Sequence, residues 1–274
     1  RGLIEDVLAD ADTRSLLENG MTSGYDKGFY ISSVDGDFSL RLNGQMQVRW
    51  ILNRAQGQEE ERGFENRRTK LKFSGHVGER AWSYKMTMAV NRSTSSAFTE
   101  DAWVQRRLDD GWSLKVGQFK APFLRETQVS SSRQLAVERS MVNNAFTYGW
   151  TKGIALGYAG EQATFKVWYG DGPNRINTSA VGDSVDALTA RAEVLLAGAW
   201  SQFKGFNAVE SGDFGAMLGV GGAYVDATDL GTTIEIGNAA VTKSTSWTVD
   251  LSLAAGGWQI FGAYVTASGD DQAS

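Results

Sequence analysis

The sequence predicts an all-β protein, a transmembrane antiparallel β-barrel, from three observations. Apolar and polar residues alternate along Asp37–Asn53, which is much longer than the usual soluble strand of about 5–6 residues. Short turns alternate with long polar connections along the chain, and tryptophan or tyrosine recurs where the alternating stretches end. Long strands with one apolar face, uneven connections and aromatic girdles are together typical of barrels that cross a membrane.

Composition agrees with this fold and narrows the function. The 274 residues include 32 glycines, 2 prolines and no cysteine, and the net charge is −5. Few prolines suit long hydrogen-bonded strands, because proline cannot donate to a ladder. No apolar run is long enough for a transmembrane helix. The negative net charge argues against nucleic acid as a partner.

The first residues differ from the rest of the chain. Apolar residues recur at helical spacing from Ile4 to Ala11, and glycine at position 20 is a common helix stop. We therefore predict a short amphipathic helix, and divide the chain into an N-terminal periplasmic helical segment, residues 1–24, and a transmembrane β-barrel, residues 25–274.

Alternation then recurs in about ten further stretches, each with one apolar and one polar face. One connection, 197–213, is long where a short turn is due. The chain ends on the polar residues Asp270–Ser274, whereas a single-chain bacterial barrel has an even number of strands. The sequence thus predicts a partial barrel, with C-terminal strands missing. The predicted strands are 37–53, 66–77, 82–91, 101–107, 112–117, 153–158, 165–169, 188–194, 216–224, 246–253 and 258–264.

The polar faces of the early strands are rich in cations. Rings of Arg and Lys favour the passage of anions, and the planar fork of arginine suits phosphate. Alternatively, these side chains only solvate the lumen and pair with acidic residues of the loops. The residues are Arg41, Arg49, Arg68, Lys70, Lys72, Lys85 and Lys115.

The longest connection, Lys120–Trp150, carries charged residues among apolar ones. A connection of this length rarely stays without structure in a folded domain. We expect it to fold inward and narrow the pore; alternatively it covers the mouth of the barrel or contacts another subunit. Its charged residues are Arg125, Glu126, Arg133, Glu138 and Arg139.

Catalytic chemistry has little support in the sequence. His76 is the only histidine, and no catalytic triad, metal-ligand cluster or phosphate-binding loop is visible. We therefore expect no enzyme activity, no cofactor and no metal.

Four segments of the chain are distinctive in sequence: Phe38–Gln47 (FSLRLNGQMQ), Asn66–Gly75 (NRRTKLKFSG), Lys115–Glu126 (KVGQFKAPFLRE) and Ser130–Ser140 (SSSRQLAVERS). They resemble the phosphate-selective porin O and P family, and look closest to its planctomycete branch. The resemblance spans nearly the whole chain. It implies a bacterial outer-membrane barrel of sixteen strands, about eleven of them present here, usually trimeric, with its third outer loop folded into the lumen.

The resemblance also implies pore residues. The adjacent arginines of the family's second strand match Arg67 and Arg68, which adds Arg67 to the expected pore lining. Gln45 stands where relatives carry an arginine, and Ala89 where they commonly carry an aspartate. The resemblance therefore predicts a porin that favours anions, without strict phosphate selectivity.

The sequence as a whole predicts a passive outer-membrane channel for small hydrophilic solutes with a preference for phosphate-like anions. Its expected partners are outer-membrane lipid and lipopolysaccharide, the solutes themselves and two further copies in a homotrimer. Two other roles stay open: a barrel plugged by its long loop that acts as a surface receptor or adhesin, and a structural protein that anchors the envelope.

Overall fold

The computed structural model describes residues 20–57, 59–177, 185–207, 212–228, 233–237 and 239–270. Within these ranges the chain forms a 13-stranded antiparallel sheet and a separate two-stranded hairpin, so the all-β prediction is confirmed. The strands are β1 (Met21–Tyr25), β2 (Phe29–Ser33), β3 (Phe38–Asn53), β4 (Glu61–Val77), β5 (Glu79–Val90), β6 (Ala97–Arg107), β7 (Trp112–Lys120), β8 (Trp150–Ala159), β9 (Ala163–Gly170), β10 (Asp186–Ala197), β11 (Gly215–Asp226), β12 (Ile234–Ile236), β13 (Ala239–Val241), β14 (Lys243–Ala255) and β15 (Trp258–Asp270).

The sheet follows the order of the chain. Each strand pairs with its neighbours in sequence from β1 to β11, then with β14 and β15, while β12 and β13 form the small hairpin inside the β11–β14 connection. The predicted alternating stretches coincide with β3 to β11, β14 and β15. The short hairpin β1–β2 was not predicted, so the sheet has 13 strands and not about eleven.

The large sheet begins a few residues before the predicted start of the barrel at residue 25. Met21–Tyr25 is a strand paired with Phe29–Ser33, so the sheet begins within the range assigned to the helical segment 1–24. The predicted helix itself lies outside the described residues. In the described part of the chain, no helix is both long and apolar enough to cross a membrane.

The two faces of the sheet differ in polarity. We call the face that contacts the segment 121–149 the inner face, and the opposite one the outer face. Large apolar side chains are exposed on the outer face, among them Met46 (71%) and Ile260 (57%). Polar side chains such as Thr189 and Ser252 (both 0%) are buried on the inner face. This distribution is the reverse of the one found in soluble domains, and it suits an outer face in apolar surroundings.

The two ends of the sheet differ as well. Apart from the β1–β2 turn at 26–28, five connections of the large sheet are short: those at 34–37, at Gly78, at 108–111, at 160–162 and at Gly256–Gly257, where both glycines have the positive φ of a tight hairpin turn (50° and 87°). They lie at one end, which we call the short-turn end. The long connection between β10 and β11, residues 198–214, starts from this same end.

The buried apolar residues lie between the segment 121–149 and the inner face of the later strands. Phe123 and Tyr148 of the segment are each 1% exposed, their rings are 5.6 Å apart, and they pack in one cluster with Trp168 and Val225 of β9 and β11. The segment contains two short helices, α1 (Arg125–Gln128) and α2 (Met141–Phe146).

Candidate functional site: the inner face of the early strands

The predicted pore-lining residues all lie on the inner face of β3 to β7. The ladder between β3 and β4 places Gln45 opposite Lys70, and the one between β4 and β5 places Ser74 opposite Lys85. Side chains an even number of residues apart along a strand point to the same side. The inner face therefore also carries Arg41 and Arg49 of β3, Lys72 of β4 and Lys115 of β7.

A break in the ladder explains how two adjacent arginines share the inner face. Gln47 pairs with Arg68 and Val48 with Asn66, so Arg67 is an extra residue in β4. Such a β-bulge places two residues of one strand opposite one of its partner. Both arginines contact the same carboxylate: Arg67 Nη2 is 2.9 Å, and Arg68 Nη2 3.6 Å, from Glu138 Oε2.

A second bulge does the same for two acidic residues. Thr87 pairs with Asp101 and Met88 with Thr99, which leaves Glu100 as the extra residue of β6. Lys70 Nζ is 2.5 Å from Glu100 Oε2, and Lys85 Nζ is 2.8 Å from Asp101 Oδ2. Strict alternation would point Glu100 outward, so sequence reasoning missed it.

The acidic partner of Lys70 thus comes from an unexpected strand. Ala89 of β5 lies directly opposite Lys70 and has no carboxylate. Glu100 supplies it from the next strand, and both charged groups are buried. A buried charge needs such a partner, because an unpaired one is costly to remove from water.

Lysines, two carboxylates and aromatic rings surround a cavity of about 210 Å³. Lys72 Nζ donates to Gln45 Oε1 (2.6 Å), Lys115 Nζ lies 4.1 Å from the centre of the Trp103 ring, and Lys120 Nζ donates to a backbone carbonyl. In the described residues none of these three lysines forms an ion pair, whereas Lys70 and Lys85 do. The cavity wall therefore contains three uncompensated lysines, that is, lysines that form no ion pair with a described carboxylate, and we call it the lysine pocket.

The segment 121–149 lies against these strands. Gln45 Nε2 is 3.0 Å from Ser131 Oγ, and Arg68 Nη1 donates to the carbonyl of Val137 (2.6 Å). Glu138 accepts from Arg49 (2.7 Å) as well as from Arg67. Several residues predicted to line the pore therefore hold the segment in place.

The charged residues of the segment have separate tasks. Glu138 binds the arginines of β3 and β4, while Glu126 accepts from the backbone N–H and hydroxyl of Ser140 (both 2.6 Å). Arg139 donates to the carbonyls of Glu126 and Val129 (both 2.9 Å). Glu126 and Arg139 thus stabilise the segment itself through these hydrogen bonds, while Glu138 binds the cationic strands, and Arg139 also lines a cavity with Arg68 and Lys70.

The electrostatics of Glu138 follow from these contacts. Burial opposes ionisation, but the hydrogen bond from Arg67 and the charges of Arg67, Arg68 and Arg49 outweigh it and hold the pKa of Glu138 below its usual range. At neutral pH this carboxylate is charged and offsets part of the cationic face.

The segment is also attached to the later strands through Arg125. Its guanidinium donates to Ser252 Oγ (3.1 Å) and to the carbonyl of Phe203 (2.6 Å), and lies 3.5 Å from Glu193. Phe203 belongs to the long connection 198–214, which enters from the opposite end of the sheet. The backbone N–H of Phe206 in that connection donates to the carbonyl of Arg133 (2.8 Å), so connections from both ends meet on the inner face.

A buried ion pair that the sequence did not single out lies beside Arg125. Arg191 of β10 donates to both oxygens of Asp250 on β14 (2.8 and 2.9 Å), to Glu193 (2.9 Å) and to the carbonyl of Phe123 (3.0 Å). Its only sequence signal is that Arg191 and Glu193 share the polar face of one predicted strand.

The comparison with protein families agrees with this architecture. A family model, phosphate-selective porin O and P, matches residues 38–273, which spans β3 to β15 and includes the lysine pocket. No match is found among curated proteins. Since the matched range is most of the chain, the chain belongs to the phosphate-selective porin O and P family.

Proposed function

We propose that the chain is a passive channel of the bacterial outer membrane that passes small hydrophilic solutes and favours anions, phosphate-like ones among them. The family supports the porin function, and the exposed apolar outer face supports contact with lipid. The preference for anions rests on one observation, the three uncompensated lysines of the lysine pocket. Cationic linings attract anions and exclude cations at short range.

The arrangement suits transient binding. Lysine ammonium groups are point charges on flexible chains, and Lys72 and Lys115 are held only by an amide oxygen and an aromatic ring. An anion can replace these contacts without breaking an ion pair. Binding that is favourable yet weak is what conduction through a selective pore requires.

The test is the ion selectivity of the full-length protein in planar bilayers. In a salt gradient we expect a reversal potential whose sign shows that anions are more permeant than cations. The double variant K72Q/K115Q should move this potential toward zero. Lys152→Gln is the matched control, because Lys152 lies opposite Gln118, outside the lysine pocket, and pairs with Asp171 (3.2 Å). A wild-type reversal potential at zero, or equal shifts in the double variant and the control, would contradict the proposal.

A plugged barrel is the second candidate, and one observation favours it. The segment 121–149 and the connection 198–214 meet on the inner face and bury Phe123 and Phe203 there. A receptor, adhesin or envelope anchor needs no open pore. Single-channel recordings separate the two functions, since a plugged barrel conducts no ions; the proposed trimer is tested by the mass of the purified protein in detergent.

A further inference from the structure

A large cavity lies between the segment 121–149 and the last two strands of the sheet, β14 and β15. Its volume is about 870 Å³, and it shares no lining residue with the lysine pocket. Phe261 and Val265 of β15 line it and lie opposite Ser252 and Thr248 of β14 in the ladder, so these side chains are all on the inner face. We call this cavity the amphipathic pocket.

One part of its wall is apolar and exposed. Leu135 and Val142 of the segment are 85% and 51% exposed, and the rings of Phe206 and Phe261 have their centres 4.8 Å apart. Apolar side chains left in water are unfavourable, and patches of them usually mark a binding site. A channel for purely hydrophilic solutes has no use for them on its inner face. The apolar wall therefore indicates a ligand with an apolar body.

Two charged residues of opposite sign also line the amphipathic pocket and are neighbours. Arg139 Nε donates to the backbone carbonyl of Glu126 (2.9 Å), which places the two residues side by side. Among the described residues, neither side chain forms an ion pair, because Arg139 donates only to carbonyls and Glu126 accepts only from Ser140. Each carboxylate oxygen of Glu126 keeps a lone pair, and Arg139 keeps unused N–H groups.

The other charged groups of the wall have partners outside it. Arg125 lies 3.5 Å from Glu193, and Asp250 lies 2.8 Å from Arg191. Glu138 is bound by the arginines of β3 and β4. The amphipathic pocket thus offers a ligand one positive group, one negative group and an apolar surface.

We propose that the amphipathic pocket binds a zwitterionic solute with an apolar side chain, namely an apolar α-amino acid such as phenylalanine or leucine. The ligand carboxylate accepts from Arg139, and the ligand ammonium group donates to Glu126. The ligand side chain packs against Leu135 and the two phenylalanine rings. A simple inorganic anion matches only one of these three features. The proposal rests on the proposed function, because it names a class of solute that the channel takes.

The experiment measures binding of phenylalanine to the full chain by titration calorimetry. The protein is held in lipid nanodiscs, so that no detergent tail competes for the apolar wall. Glycine, 3-phenylpropionate and phenethylamine each lack one of the three features, and each should bind about tenfold more weakly. Benzyl alcohol keeps only the apolar body and should bind more weakly still. If any of these compounds binds as tightly as phenylalanine, the proposal is overturned.

Leu135→Gln tests the apolar wall. It should weaken the binding of phenylalanine about tenfold and leave the weak binding of glycine unchanged. Met141→Gln is the matched control, since Met141 is equally exposed (87%) on the same segment but does not line the pocket. Both side chains lie mostly in water, so neither substitution removes a packed core contact. Equal losses of affinity in the two variants would contradict the proposal.

Glu126→Gln tests the recognition of the ammonium group. The amide oxygen can still accept from Ser140, but the negative charge is lost. Phenylalanine should then bind no more tightly than 3-phenylpropionate, because the ammonium group has lost its charged partner. A variant that keeps the full preference for phenylalanine would rule out this role of Glu126 and overturn the proposal.

The outcome for the amphipathic pocket is separable from the outcome for the proposed function. K72Q/K115Q changes only the lysine pocket, so phenylalanine binding must survive it, and its loss would overturn the proposal. Phenylalanine binding by a protein that conducts no ions would support the binding site and refute the proposed channel. A protein that prefers anions in bilayers and does not bind phenylalanine would refute the binding site alone.

Discussion

Two parts of the inner face follow the same alternating pattern, but one leaves a cavity open and the other is packed. Along β3 to β7 the inner positions are long and charged, and a cavity with three uncompensated lysines remains between them and the segment 121–149. Along β8 to β11 and β14 many are small, and Phe123 and Tyr148 fill the space. The comparison teaches that residue size on the inner face, beyond its polarity, decides whether the space next to this face stays open or is packed.

The attachment of the segment also differs between the two sides. On the cationic side it is held by Glu138, whose side chain is 36% exposed. On the packed side it is held near Arg191 and Asp250, whose side chains are 3% and 1% exposed. Water screens the first contact and not the second, so the packed side should dominate stability and the cationic side should dominate permeation.

The largest expected effect comes from breaking the buried pair. Asp250→Ala leaves Arg191 buried with only Glu193 as a charged partner, and should lower the free energy of unfolding by about 3–5 kcal/mol. The midpoint of unfolding in guanidinium measures it. Glu60→Gln, which removes a partner of the exposed Arg54, is the control and should lower the free energy of unfolding by only ~0–1 kcal/mol. R191M/D250L should recover much of the loss; a double variant as unstable as the single one would mean that the charges themselves are required.

A smaller effect should follow from filling the space left for the segment. An added Cβ at Gly221 would lie 2.9 Å from the carbonyl oxygen of Phe123 and 3.0 Å from Thr248 Cγ2. Gly221→Ala should therefore displace the segment near Phe123 and lower the free energy of unfolding by about 1–3 kcal/mol. At Gly222 nothing lies within 4 Å of such a Cβ, so Gly222→Ala is a control one residue away. Equal unfolding midpoints for the two variants would show that the segment does not pack there as described.

The smallest effect in stability, and a clear one in selectivity, should come from Glu138. Its pKa is lowered in the folded protein, so its stabilising contacts are complete above the usual glutamate pKa and are lost as the pH falls through the lowered value. Protonation then leaves Arg49, Arg67 and Arg68 less compensated, and anion preference should rise in acid. Glu138→Gln should show the higher preference already at pH 7 and a weaker dependence on acid. A variant that titrates like the wild type would assign the dependence to other groups and contradict the prediction.

The strands were predictable to a large extent. A period of two in polarity is imposed by the backbone itself, so β3 to β11, β14 and β15 could be located without knowledge of their partners. The hairpin β1–β2 was missed because its strands are only 5 residues long and do not alternate clearly. The glycine at position 28 was the local signal in the sequence, and the structure places it in the turn with a positive φ (137°).

The candidate site was predictable only in part. Alternation places Lys70 and Lys85 on the inner face, but it cannot say which lysine has an acidic partner, because Glu100 reaches that face through a bulge. Arg67 was expected there only through the family resemblance, since it sits one residue from Arg68. Arg191 received no role because its partner Asp250 is 59 residues away in the sequence.

The sequence by itself determined that the chain forms long antiparallel strands with an apolar and a cationic face, since side-chain direction along a strand depends on local backbone geometry alone. The tertiary structure decided where the register slips, which charges are compensated and how the segment 121–149 is held. These depend on contacts between residues such as Arg67 and Glu138 that are far apart in sequence. No local pattern encodes such contacts, because they form only when the strands and the connections from both ends meet on the inner face.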